Sequence, residues 1–213
     1  MAVAEVREPA RVVPALQDLS TRVCPAVVAG ARVLPVTGPF AGLVPGGAIR
    51  RGTTVAVDGP PGSGVTTTAL TLVAAATAAG EWAAVVDPFG TLGARAAAAA
   101  GVDLERCAVV RRVPPDRWPT VVAALLDGVA LVVASVPSRV RHGDARRLLA
   151  RARERAAVLV AVGPWPVEAA LRLRTEAGTW TCDASGLLAA RDLRVSAEAR
   201  GMPVRARVHA VAG

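Results

Sequence analysis

Residues 59–67 read Gly59-Pro60-Pro61-Gly62-Ser63-Gly64-Val65-Thr66-Thr67. The stretch follows a short apolar run, Thr54 to Asp58, and opens an Ala- and Thr-rich run, Thr66 to Ala79, so it falls where a strand hands over to a helix. A phosphate-binding P-loop requires that context. Its glycines let backbone N–H groups turn inward as an anion nest, and the helix N-terminus adds positive partial charge. Gly59, Gly62, Ser63, Gly64, Val65, Thr66 and Thr67 are therefore the candidate nucleotide-binding residues, in vestigial form. The pattern asks for Lys where this chain has Val65, while Thr66 offers a hydroxyl of the kind that ligates Mg²⁺. The competing reading is an ordinary Gly-rich strand-to-helix turn.

Outward from this loop, strand-like and helix-like runs alternate. Strands are predicted at Thr54–Asp58, Trp82–Asp87, Cys107–Val110, Ala130–Ser135 and Val158–Val162. Helices are predicted between them at Thr66–Ala79, Leu92–Ala100, Trp118–Leu126 and Asp144–Arg155. Short apolar strands alternating with helices predict an α/β fold with a mostly parallel sheet covered on both faces. After Pro166 the pattern changes to Ala169–Thr175, Thr179–Asp183, Leu187–Ala197 and Val204–Val211, strand-like runs joined by Gly-containing turns. These predict an antiparallel C-terminal extension at one sheet edge. Before the loop, Pro14 to Cys24 reads as a short helix with Leu16, Leu19 and Val23 on one side. The Pro/Gly-rich segment Leu34 to Gly47 reads as a linker or entry loop. The expected organisation is an N-terminal helix and linker arm over 1–42 and one core domain over 43–213.

At 213 residues the chain suffices for one sizeable core plus a small appendage. Hydrophobic residues make up 53% and aromatics 3%, so packing must rest on Ala and Val rather than on large anchors. No apolar run approaches the ~20 residues of a membrane-spanning helix. Met1 to Ala10 carries Glu5, Arg7 and Glu8 and has no apolar core of a signal peptide, which predicts a cytoplasmic protein. Cys24, Cys107 and Cys182 are scattered without metal-ligand spacing, so all three are expected to be small buried hydrophobes, with no metal site. The net charge is +8 and all 25 basic residues are Arg, which excludes any Lys-dependent chemistry.

With these residues in place, the sequence resembles the RecA family. The match starts at Gly46-Gly47-Ala48-Ile49-Arg50-Arg51-Gly52 and runs through the P-loop to Ala83-Ala84-Val85-Val86-Asp87. It continues at Gly101-Val102-Asp103-Leu104-Glu105-Arg106, and Ala130 to Ser135 sits where that family has its Walker B strand. Leu171–Glu176 and Asp192–Ala210 resemble the end of the RecA core, so the likeness covers roughly Leu43 to Val211. The resemblance implies a RecA-like P-loop core, and the departures from it fall at chemical positions. Val65 replaces the phosphate-binding Lys, Phe89 stands where the catalytic Glu would be, and Ala134 replaces the Walker B acid. One lost charge-assisted contact costs about 1.5–3 kcal/mol, or roughly 10- to 150-fold in nucleotide affinity. Loss of the base removes roughly a further 10²–10⁴ in rate. The expectation is a non-enzyme with no catalytic residues and no required cofactor, at most a weak binder of ATP and Mg²⁺.

The segments that match the family's two DNA-binding loops are short, with only Gly163-Pro164-Trp165-Pro166-Val167-Glu168 between Val162 and Ala169. A shortened, degenerate RecA-like chain rich in Arg and Ala looks most like the ImuA-prime type of accessory protein in actinobacterial mutasomes. That resemblance implies a partner, an ImuB-like polymerase homologue without activity, and through it an error-prone polymerase in DNA-damage-induced translesion synthesis. The alternatives are a nucleotide-binding switch and a DNA-binding recombination accessory. For the last, Arg141, Arg146, Arg147, Arg151 and Arg155 form a basic exterior on the helix starting at Asp144, a possible surface for DNA or an acidic partner. The plainer reading is a solvated face over an apolar stripe of Ala145, Leu148, Leu149, Ala152 and Ala156. Trp118 and Trp165, each beside Pro, are expected to pack in the core or under loops, and His142 and His209 are given no catalytic role.

Overall fold

In the computed structural model, residues 33–138, 140–199 and 205–212 are described, the last group by backbone alone. The chain runs β1 (Val33–Pro35), β2 (Ala48–Arg50), β3 (Thr54–Asp58), α1 (Val65–Ala78), β4 (Ala83–Asp87), α2 (Ala94–Ala99) and β5 (Cys107–Arg111). It continues through α3 (Trp118–Gly128), β6 (Leu131–Ser135), α4 (His142–Arg155), β7 (Val158–Val162), β8 (Leu171–Glu176), β9 (Trp180–Cys182), β10 (Leu188–Ala199) and β11 (Arg205–Ala212).

Strands such as VLVAV in β7 and TVAVD in β3 are apolar at successive positions because both faces of the sheet are covered. Alternation sorts their side chains. Val55, Val57, Val133, Val158 and Val160 join Leu70 and Val73 of α1 on one face. Ala56, Ala134, Leu159 and Ala161 join Trp118, Val122 and Leu148 of α3 and α4 on the other. The large sheet has the order β11-β10-β8-β3-β7-β6-β4-β5, with β9 paired to β10. From β8 through β5 every pairing is parallel, and β10 pairs antiparallel with β8, β9 and β11. The fold is α/β, mostly parallel, flanked by helices, with an antiparallel part.

Two expectations need correction. β8 was expected in the antiparallel extension, but it pairs parallel with β3, Val55 opposite Leu171 and Val57 opposite Leu173. Its buried file Leu171, Leu173 and Thr175 completes the core beside β3, and the antiparallel part begins only at β9. The segment Leu34 to Gly47 is not a linker. β1 pairs antiparallel with β2, and Leu34, Val36, Phe40, Leu43 and Val44 are buried in the α1-side cluster. Its prolines and glycines form tight turns at Gly38–Phe40 and Pro45–Gly47, and the apolar residues before, within and between those turns supply the buried side chains. Residues 33–42 of the expected arm are thus part of the core, whereas the expected helix Pro14–Cys24 lies outside the described residues.

Phe40 is 1% exposed. Phe40→Ala should therefore cost about 3–5 kcal/mol in urea unfolding, the range of a core aromatic truncation. A linker residue would change stability by less than about 0.5 kcal/mol.

Candidate functional site

β3 lies inside the sheet with β7 and β8 as parallel neighbours, so the Gly-rich loop after it emerges at the carboxyl edge, where open α/β sheets place ligands. Gly62 and Gly64 turn the chain with φ of 76° and 95°, and Gly64 caps α1 without a side-chain hydrogen bond. Ser63 is the inward residue of the loop. It is fully buried, its N–H donates to Pro60 O at 3.1 Å, and its hydroxyl shares a 2.5 Å hydrogen bond with the Thr175 hydroxyl of β8. Thr175 also donates to Asp58 O at 3.3 Å.

The glycines answer to these neighbours. A Cβ on Gly59 would fall 2.1 Å from Thr175 Oγ1 and 2.6 Å from Ser63 Oγ. A Cβ on Gly64 would fall 2.2 Å from Leu193 Cδ2 of β10. The Arg191 guanidinium of β10 donates to Gly62 O and lies 5.3 Å from the ring centre of Trp180. Side chains of β8 and β10 thus hold the loop at Gly59, Gly62, Ser63 and Gly64.

The acids nearest the loop are engaged. Asp58 forms ion pairs with Arg172 at 2.6 Å and Arg174 at 3.8 Å. Asp87 is buried and accepts from Leu92 N at 2.8 Å and Thr91 Oγ1 at 3.4 Å, which ties down the loop between β4 and α2. Phe89 follows on that loop and is 73% exposed. Ala134 lies fully buried among α3 and α4 residues, on the face away from α1, so by strand alternation Ser135 is the β6 residue on the α1 face. Val65 packs against the α1-side core, Thr67 is half-buried and Thr66 is exposed. Among the described residues no group of His, Cys, Asp and Glu could hold a metal ion.

The basic helix is largely paired. Arg151 clasps Asp127 of α3 with 2.6 and 2.7 Å hydrogen bonds, Arg155 adds a third at 3.1 Å, and Arg147 meets Asp144 at 3.4 Å. Partial burial pulls Asp127 upward, but the Arg151 hydrogen bonds and the charges of Arg151 and Arg155 outweigh it and hold the carboxyl below its usual range. Arg141 and Arg146 are exposed and form no ion pair among the described residues. Trp118 and Trp165 are buried, as expected for packing residues. Cys182 corrects the buried-cysteine expectation, because β9 stands on a projecting hairpin with no layer over it. Cys107 is half-buried, and that burial pushes its thiol up, away from the nucleophilic thiolate.

Sequence reasoning missed Thr175, Arg191 and Leu193, although one signal was present. In the alternating strand LRLRTE, Thr175 continues the buried file of Leu171 and Leu173, and a buried hydroxyl needs a partner.

The contact at Gly64 is testable by a double-mutant cycle. Gly64→Ala should destabilise by more than about 2 kcal/mol, from left-handed strain plus the Leu193 clash. Leu193→Ala should cost about 2–5 kcal/mol alone. The double variant should lose at least about 0.5 kcal/mol less than the sum, since the smaller side chain makes room.

The chain matches the family model of the MT3502 N-terminal domain over residues 42–167, more than half of its 213 residues. No curated protein matches it. The match opens just before the buried Leu43 and Val44 and closes after β7, before β8 begins. The chain therefore belongs to the MT3502 N-terminal domain family.

Proposed function

We propose that this chain is a RecA-like P-loop relic that no longer turns over ATP and works in the cytoplasm as a protein–protein accessory. The observation that carries the reading is the buried Ser63–Thr175 hydrogen bond inside the Gly-rich loop. A loop that receives triphosphate needs open N–H groups, a cation and a nearby acid for Mg²⁺. Here Ser63 N is bonded to Pro60 O, position 65 is Val, and the Asp58 and Asp87 carboxylates are engaged by Arg172 and by Leu92 N. The residues present do not fit a nucleotide–Mg²⁺ complex. The partner that the mutasome resemblance supports is an ImuB-like polymerase homologue, and through it an error-prone polymerase in translesion synthesis.

Purified protein should show negligible ATP hydrolysis with or without single-stranded DNA. Val65→Lys should raise affinity for a fluorescent ATP analogue without restoring hydrolysis, and adding Thr175→Ala should raise it further by freeing Ser63. Robust DNA-stimulated hydrolysis by the wild-type chain would sink the proposal. Tight nucleotide binding without hydrolysis would replace it with the switch reading. Loss of co-purification with the ImuB-like protein, with the chain folded, would remove the partner.

The clasp on Asp127 bears on DNA. Asp127→Asn releases Arg151 and Arg155, so polyanion affinity on a heparin column or in DNA titrations should rise, steeply weakened by salt. The same clasp stabilises the fold above the carboxyl's unfolded pKa of about 3.9 and is lost as pH falls through its lower folded value. Wild type and Asp127→Asn should therefore converge in Tm at strongly acid pH. Unchanged heparin retention would show that the α4 face is not an anion surface.

A further inference from the structure

Two apolar features stand at opposite ends of the large sheet. The first is a finger. β10 last pairs with β8 at Arg194 opposite Glu176, so Leu188 to Leu193 run on past the carboxyl end of β8 for roughly 20 Å. β9 folds back on this extension, and the connecting turn exposes Leu187 by 68% and Leu188 by 57%, with Trp180 on the flank. The turn is tied rather than loose. The Asp183 carboxylate accepts from Ser185 N, Ser185 Oγ and Leu187 N at 2.9, 2.6 and 3.0 Å, which holds the two leucines in place before any partner arrives.

The second feature is a groove. At the far edge, where the sheet ends in β5, a cavity of about 290 Å³ opens between β5 and the helices on the α1 face. Leu70, Leu92, Ala97, Leu104, Cys107 and Val109 line it, and Leu104 and Val109 are exposed. Arg111 stands at one end with its guanidinium anchored on Leu92 O at 2.6 Å, a positive charge on an otherwise apolar site.

The finger and groove match in kind: two projecting leucines beside an ionised Asp183, and an apolar cleft beside Arg111. They cannot meet within one molecule. Six strand spacings separate β10 from β5, roughly 29 Å across a rigid sheet. We infer that the occupant of the groove is the finger of a second copy, with Leu187 and Leu188 in the cleft and Asp183 near Arg111. Such a contact is heterologous: every assembly keeps one free finger at one end and one free groove at the other, so growth is open rather than closing at a dimer. The area is well below that of a standard stable interface, so the association is weak and concentration-dependent. This inference stands apart from the proposed function, since it needs neither nucleotide nor an ImuB-like partner.

The test is sedimentation equilibrium on the full chain. Wild-type mass should rise with concentration past the dimer without a plateau. The finger variant Leu187→Ser/Leu188→Ser and the groove variant Leu104→Asp should each stay monomeric, with unchanged circular dichroism because all three side chains are exposed. Mixed together, the two variants retain one intact finger and one intact groove between them, so the mixture should stop at a 1:1 dimer. A wild-type chain that is monomeric at every concentration overturns the inference. So does a mixture that stays monomeric, or a groove variant that assembles like wild type.

Discussion

The hydrogen bond between Ser63 and Thr175 joins the Gly-rich loop to β8, and much of the local architecture answers to it. It occupies the interior of the turn with protein hydroxyls. It leaves no room for a Cβ at Gly59, and Leu193 imposes the same limit at Gly64. Gly59 and Gly64 are thus required by packing, and Gly62, which has open space around it, by its positive φ, with no ligand needed to explain any of the three. That separates two questions the motif usually merges: a P-loop-like spacing records how a strand turns into a helix, and says nothing by itself about whether phosphate is bound there. The bond also crosses the end of the family match at residue 167, so the matched α/β part and the strands after it are stitched together at the sheet's carboxyl edge.

The parallel core was legible because its strands are short apolar runs. Thr54–Asp58 and Val158–Val162 emerge as read, and Ala130–Ser135 loses only its first residue. Periodicity reports burial, and these strands are buried on both faces. Leu34 to Gly47 was misread for the opposite reason. Its five buried apolar side chains follow no regular period because a three-residue strand supplies only Leu34, and the irregular chain after it presents the other four. The parallel pairing of β8 was equally hidden, since an alternating strand such as LRLRTE says that one face is buried and not which neighbour it pairs with. At the candidate site, the loop itself was visible, but the distant residues that hold it were not. Ser63 and Thr175 are 112 positions apart, and Arg191 reaches Gly62 across 129. No local pattern encodes such contacts.

The arginines show that a run of charge in the sequence is partly used within the fold. A net charge of +8 with a run of arginines on one helix suggests an anion surface. Yet Arg151 and Arg155 converge on Asp127, 24 and 28 positions away, and join α4 to α3 across the sheet face they both cover. A guanidinium already paired in bidentate geometry has little to gain from a phosphate, because it must give up one carboxylate contact to make another. Affinity for a polyanion comes from unpaired charge that releases condensed counterions. On α4 and its approach, that leaves Arg141, Arg146 and Arg153 as the exposed arginines without an ion pair among the described residues, fewer than the run implies. Two of the five arginines of α4, Arg151 and Arg155, are thus packing charges that join it to α3, and only the rest stand ready for a partner.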